Sequence, residues 1–200
     1  MFMQDITRLS ARPVPPALPG AATVTPRPQA PVAVTAAASG LVAGTRVETA
    51  QGWRPIESLR IGDRVHSLDG GLARIVALSR RHALPGEPVI RIAGGHFDAC
   101  SDLMLMPGQE LLLHTLGLYA APYACLAARH LAACPGASRA IALRHAEIVT
   151  PIFAEEEVIW ANSGLLLRCP GLSPVLPPAF PALCDADAAA FLAARIRRAA

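Results

Sequence analysis

The sequence predicts a mostly β domain: a compact fold of short strands with a short internal helix and a C-terminal helix. Three observations predict it. Short alternating apolar segments follow one another from Thr45 to Ala161, separated by Gly, Pro, Asp and Asn, the pattern of short strands joined by tight turns. Apolar residues make up 52% of the chain and aromatics only 4%, so the core must be built from Leu, Val, Ile and Ala. The C-terminal stretch "CDADAAAFLAARIRRAA" places acids first and arginines last around an apolar face, which complements a helix dipole.

In chain order, residues 11–38 are rich in Pro and Ala and lack periodicity. Prolines remove backbone donors and bias the chain to extended conformations, so residues 1–38 read as a disordered or semi-rigid leader. "TRVET" alternates as a strand. "DRVHSLDGG" is a strand running into a turn at Asp69-Gly70-Gly71, and "LARIVALSRR" returns from it, a hairpin pattern. "PVIRIA", "QELLLHT", "AIALRH", "EIVTPIF" and "EVIWA" are the further strands. "YACLAARHLA" has helical spacing and supplies the short internal helix. Residues 39–171 are the expected β domain, and residues 172–200 a linker and an appended helix over about Ala186–Arg198. The core list is Ile56, Leu59, Val65, Ile75, Val89, Ile92, Leu111, Leu113, Ile141, Ile148 and Val158. The helix stripe Phe191, Leu192 and Ile196 is expected to dock on the domain or on a partner.

Composition excludes several functions. All basic residues are Arg and none is Lys, and the net charge is +3, too small to argue for a nucleic-acid partner. No apolar run reaches the roughly 18 residues of a spanning helix, so no membrane partner is expected. The N-terminus "MFMQDITRLS" lacks a basic start followed by an apolar run, which makes cytoplasmic residence the expectation, with leaderless secretion as the other option. Five cysteines, Cys100, Cys125, Cys134, Cys169 and Cys184, are irregularly spaced without a C-x-x-C pair. They read as buried thiols, not as a disulfide framework or zinc site. No metal and no cofactor are expected. The sequence leaves a protein partner and the oligomeric state open.

"GTRVETAQGWRPIESLRIGDRVHSLDGG" resembles the opening of the Hint (Hedgehog/intein) domain family, most closely the bacterial Hint-domain proteins of the alphaproteobacterial type. Gly44, Thr45, Arg46, Ile56, Glu57, Leu59, Gly62, Asp63, Asp69 and Gly70 carry the match. "LMLMPGQELLLH", "ARHLA" and "IFAEEEVIWANSG" resemble later family segments. The likeness extends over about residues 40–171.

The resemblance implies a fold and a chemistry. Active relatives break the peptide bond before a first Cys through a thioester, with a Ser/Thr-x-x-His box polarising the carbonyl and protonating the leaving nitrogen. Here the nucleophile slot falls on Gly40, the hydroxyl slot on Met106 and the box His slot on Gln109, and a late family His is replaced by Glu156. Glycine cannot attack and glutamine does not titrate. The terminal Asn slot of inteins falls on Arg168, followed by Cys169. Arginine cannot cyclise. Asn162-Ser163 resembles a splice junction but reads as a turn. Ser39 sits one position before the slot, on the opposite strand face. Thr45, His66, His114 and His130 read as structural. None of the catalytic slots is intact. The expected function is therefore a degenerate, catalytically inactive Hint-like domain kept as a binding or accessory module. A shallow groove lined by Val42, Thr45, Met106 and Gln109 is its expected surface. The alternative is autoprocessing before residue 40 by a variant acyl shift.

Overall fold

A computed structural model describes residues 39–69, 71–119, 121–173 and 180–199. The expected leader over 1–38 lies outside the described residues, as does Gly70 of the expected turn. The first half of the domain supplies β1 (Leu41–Val42), β2 (Arg46–Thr49), β3 (Gly52–Pro55), β4 (Arg64–His66), β5 (Leu72–Arg74), β6 (Ala77–His82) and β7 (Pro88–Ile92). The second half adds β8 (Leu103–Leu105), β9 (Glu110–His114), β10 (Tyr123–Ala127), β11 (Ala137–Ile141), β12 (Glu147–Ile152), β13 (Glu157–Ala161) and β14 (Leu165–Cys169). The helix α1 (Asp185–Ala199) closes the chain.

The strands form two antiparallel sheets. One is ordered β11-β7-β8-β1-β12-β6, and the other β10-β9-β14-β13-β2-β4-β5 with β3 added on β2. Their inner faces share one core. Leu41, Ile90, Ile92, Leu105 and Val149 from the first sheet meet Val47, Leu111, Leu113, Ile159, Leu165 and Leu167 from the second. Branched aliphatic residues on a pleated surface fill most of this space, and Phe153 and Phe191 are buried with them. The chain is mostly β, as its alternation predicts.

Four local expectations change. "LARIVALSRR" is two strands, because the chain changes sheets between them. Ile75 N donates to Asp63 O at 2.9 Å, while Val76 N donates to Ile152 O at 2.9 Å. "YACLAARHLA" begins as β10, paired to β9 from Tyr123↔His114 to Ala127↔Glu110, and only Ala128–Ala133 turns, as a 3-10 helix. The strand expected over "AIALRH" lies earlier, at Ala137–Ile141. All core candidates are buried except Ile141, which is 65% exposed. It ends β11, an edge strand paired only to β7, so no neighbouring strand covers it.

The tail helix is no appendage. Ala188, Phe191 and Leu192 belong to the same core as the sheets, and Phe191 meets the Tyr119 ring edge-on at 5.6 Å. Ile196 lies one turn beyond this stripe and is 38% exposed. Arg195 donates to His114 O at 2.5 Å and His130 Nε2 contacts Asp185 Oδ1 at 2.8 Å, fixing the helix at both ends.

Candidate functional site

Gly40 is placed by the strand that follows it. β1 runs through the middle of its sheet, with Leu41 opposite both Leu105 of β8 and Val149 of β12. The Gly40 carbonyl accepts from Met106 N at 3.0 Å. Its φ is +134°, and a Cβ there would lie 2.7 Å from Ile148 Cγ2 and 3.0 Å from Thr150 Oγ1. Backbone and packing both favour glycine at this position.

Gln109 is placed by a tight turn. Met106-Pro107-Gly108-Gln109 links β8 to β9, closed by Gln109 N to Met106 O at 2.9 Å. Proline presets the φ of the second residue in such turns. The turn carries the chain from one sheet to the other and brings the Gln109 side chain under Gly40. The Gly40 N–H donates to Gln109 Oε1 at 3.1 Å. Gln109 Nε2 donates to Arg168 O at 2.7 Å and to Glu110 O at 2.9 Å. One donor and two carbonyl acceptors fix which end of the amide is oxygen. The residue is 2% exposed, so it is a saturated buried crosslink between β1, β9 and β14.

Beside it, Arg168 on β14 sits between two carboxylates. It pairs with Glu110 at 3.0 Å and with Glu156 more tightly still, and it donates to Phe180 O at 3.3 Å. Burial works against the guanidinium charge, but Glu156 and Glu110 outweigh it and raise the Arg168 pKa. Ser39, Ser79, Gln109, Glu110, Glu156 and Arg168 line a cleft of about 290 Å³. The cleft carries two acids against one base.

The structure thus brings Gly40 and Gln109 into contact and sets Glu156 and Arg168 beside them. It does not gather Val42, Thr45, Met106 and Gln109 into one groove. The turn from Val42 to Thr45, closed by Thr45 N to Val42 O at 3.1 Å, leads the chain away. Thr45 Oγ1 also donates to Val42 O at 2.8 Å. Val42 and Thr45 line a separate cavity, and Met106 is buried in a satellite apolar cluster with Val42, Val89 and Ile148. Asn162 and Ser163 both have positive φ in the β13–β14 turn. Asn162 accepts from Arg46 N at 2.8 Å and donates to Ser101 Oγ at 2.8 Å, a buried polar knot that holds the turn. His114 is exposed and accepts from Leu116 N at 3.0 Å.

Of the five cysteines expected to be buried, Cys100 is exposed and Cys184 half-buried; the two beside Arg168, Cys125 and Cys169, are not primed as nucleophiles. Burial, aided by Glu110, pushes the Cys125 thiol up to about 12. Burial also raises Cys169, whose side chain lies in the core. A thiol protonated at neutral pH is a poor nucleophile. No group of three His, Cys, Asp or Glu that could hold a metal occurs among the described residues. Among them, no helix is long and apolar enough to cross a membrane. The sequence reading missed the Glu110–Arg168–Glu156 cluster. Its signal was the pair Gln109-Glu110 opening β9, with Arg168 on the neighbouring strand.

The Hint domain family profile matches residues 39–166 of this chain. No curated protein matches it. A bacterial intein-like domain from Clostridium thermocellum is 13% identical with a TM-score of 0.45, the match covering 64% of this chain and 97% of that one. The gp41-1 intein is 16% identical with a TM-score of 0.41, covering 64% and 97%. A splice-inactive AceL NrdHF class 3 split intein is 11% identical with a TM-score of 0.44, covering 66% and 97%.

Proposed function

Since the chain belongs to the Hint domain family, we propose that it is a member without acyl-shift chemistry, kept as a binding or accessory module. The observation that carries this reading is the contact between Gly40 N–H and Gln109 Oε1 at 3.1 Å. In the family reaction, the nitrogen of residue 40 is the leaving group and must receive a proton. Here the neighbouring side chain accepts a hydrogen bond from that nitrogen and has no proton to deliver from its oxygen. The amide nitrogen of Gln109 is committed to two carbonyls. The side chain in the former acid slot holds the backbone in place. In place of attack and protonation, the cleft offers a half-buried arginine and two carboxylates, groups that suit recognition of a polar partner segment.

Variants test the proposal. The unmodified chain should release no N-terminal segment in hydroxylamine, which captures thioesters and esters. Gly40→Cys alone should cleave slowly if at all, because general acid help, typically about 10²–10⁴-fold, is missing at Gln109. Release of a segment ending at residue 39 from the unmodified chain would establish the autoprocessing alternative.

A further inference from the structure

A second cavity, of about 400 Å³, opens between the Val42–Thr45 turn, β8 and the loop after β11. No residue lines both it and the Gly40–Gln109 cleft. We propose that it binds a small amphipathic anion, a medium-chain aliphatic monocarboxylate.

The size and walls come first. Ligand cavities of this volume are mostly apolar with a few placed polar groups. Val42, Leu103, Met104, Leu143 and Ala146 supply apolar walls here. No Phe, Tyr or Trp lines the cavity, and His145 is the ring-bearing residue of its lining. Met104 adds an unbranched, adaptable surface suited to a flexible alkyl chain.

Charge comes next. Arg91, Arg144 and Asp102 are the fixed charges of the lining. Asp102 is already satisfied, by Arg91 at 2.5 Å and by the Gly94 N–H at 2.9 Å. The Gly94 N–H and then Arg91 hold it below the usual carboxylate range, so it stays ionised and bound. Three acids bonded to the lining or next to its loops already have partners. Glu57 accepts from Gly44 N at 3.0 Å, Glu147 pairs with Arg80 at 2.5 Å and Glu87 with Arg81 at 2.6 Å. Arg144 has no hydrogen bond or ion pair with the described residues. One unpaired guanidinium beside an apolar floor matches one negative charge on an apolar body.

The loop that carries Arg144 is braced. Ala142 N donates to Glu87 O at 2.9 Å, Ala146 N to Leu143 O at 2.9 Å, and Ala83 N to Ala146 O at 2.8 Å. Binding therefore need not order the loop, which lowers its cost. The same bracing leaves Leu143 70% exposed at the rim. A large apolar side chain held in water next to an unpaired cation is a surface that an alkyl carboxylate would cover.

The full chain titrated with decanoate, decanol and acetate, followed by backbone amide shifts, tests the proposal. Decanoate saturates one site and shifts amides of Thr45, Arg91, Met104 and Arg144. Decanol, which lacks the charge, and acetate, which lacks the tail, bind at least roughly tenfold more weakly. Arg144→Gln lowers decanoate affinity to that of decanol, whereas Arg144→Lys keeps a preference for the acid. Leu143→Ser weakens decanoate and decanol together. Both side chains are exposed, so thermal melting of the variants should be unchanged, which separates lost binding from lost fold. The proposal is overturned by non-saturable binding, by equal affinity for decanol, by an unaffected Arg144→Gln variant, or by shifts centred on Gln109 and Glu156.

Discussion

At the residue scale, the most informative side chain is Gln109. Its amide closes three hydrogen bonds, one buried and two part-buried, and leaving buried groups unpaired costs about 1–3 kcal/mol. Gln109→Ala should therefore lower unfolding free energy by at least that amount in urea titration. A loss under about 0.5 kcal/mol would show that the crosslink is dispensable. The position was legible in the sequence, because the spacing from Gly44-Thr45 and the "LMLMPGQELLLH" segment point to Gly40 and Gln109. Their direct contact was not legible. It joins residues 69 positions apart in the chain, and local patterns carry no information about such pairing. The backbone conformation of Gly40 was equally hidden, since a φ of +134° is imposed by β8 and β12 on either side of it. Gly40→Cys should cost about 1–3 kcal/mol, the order of backbone strain at a non-glycine residue. Full retention of stability would mean that the neighbouring Ile148 side chain yields easily.

At the scale of elements, α1 separates what a local pattern can and cannot specify. Acids in its first turn and arginines in its last mark its limits, and the structure places them at Asp185 and Asp187 and at Arg197 and Arg198. Which face is buried depends on the surface it meets. Phe191 and Leu192 join the sheets' core, Phe191 also against the Tyr119 ring, and Ile196 runs past that surface. Phe191→Ala should cost about 3–5 kcal/mol, while Ile196→Ala should stay within about 0.5 kcal/mol. Equal effects in thermal melts would contradict the docked geometry. Ile141 makes the same point from the other side. Alternation assigns it to the core, but it ends an edge strand. Whether a strand is central or at an edge is a property of the sheet.

At the scale of the whole molecule, surface charge pairs set the response to acid. The Arg81 side chain lowers the pKa of Glu87, the Gly94 N–H and Arg91 lower that of Asp102, and His130 and Arg129 lower that of Asp185. A depressed carboxyl stabilises the fold above its unfolded value, about 4, and that stability is lost as pH falls through the lower folded value. Glu157 runs the opposite way. Burial raises its pKa, so acidification first relieves it. Denaturation midpoints should therefore hold near pH 5 and fall below about pH 4. A midpoint that rises steadily down to pH 2 would contradict these pairings.

The class of fold was the most legible property of the chain, because alternation, turn residues and a charged tail helix all point to one mostly β domain. The central claim is that its family chemistry has been lost while the scaffold is retained. The intact mass of the purified full-length chain, followed for days between pH 6 and 9 with and without added thiol, tests it most directly. The account predicts one unchanged mass throughout. A mass loss corresponding to the segment before Gly40, growing with time, would contradict it.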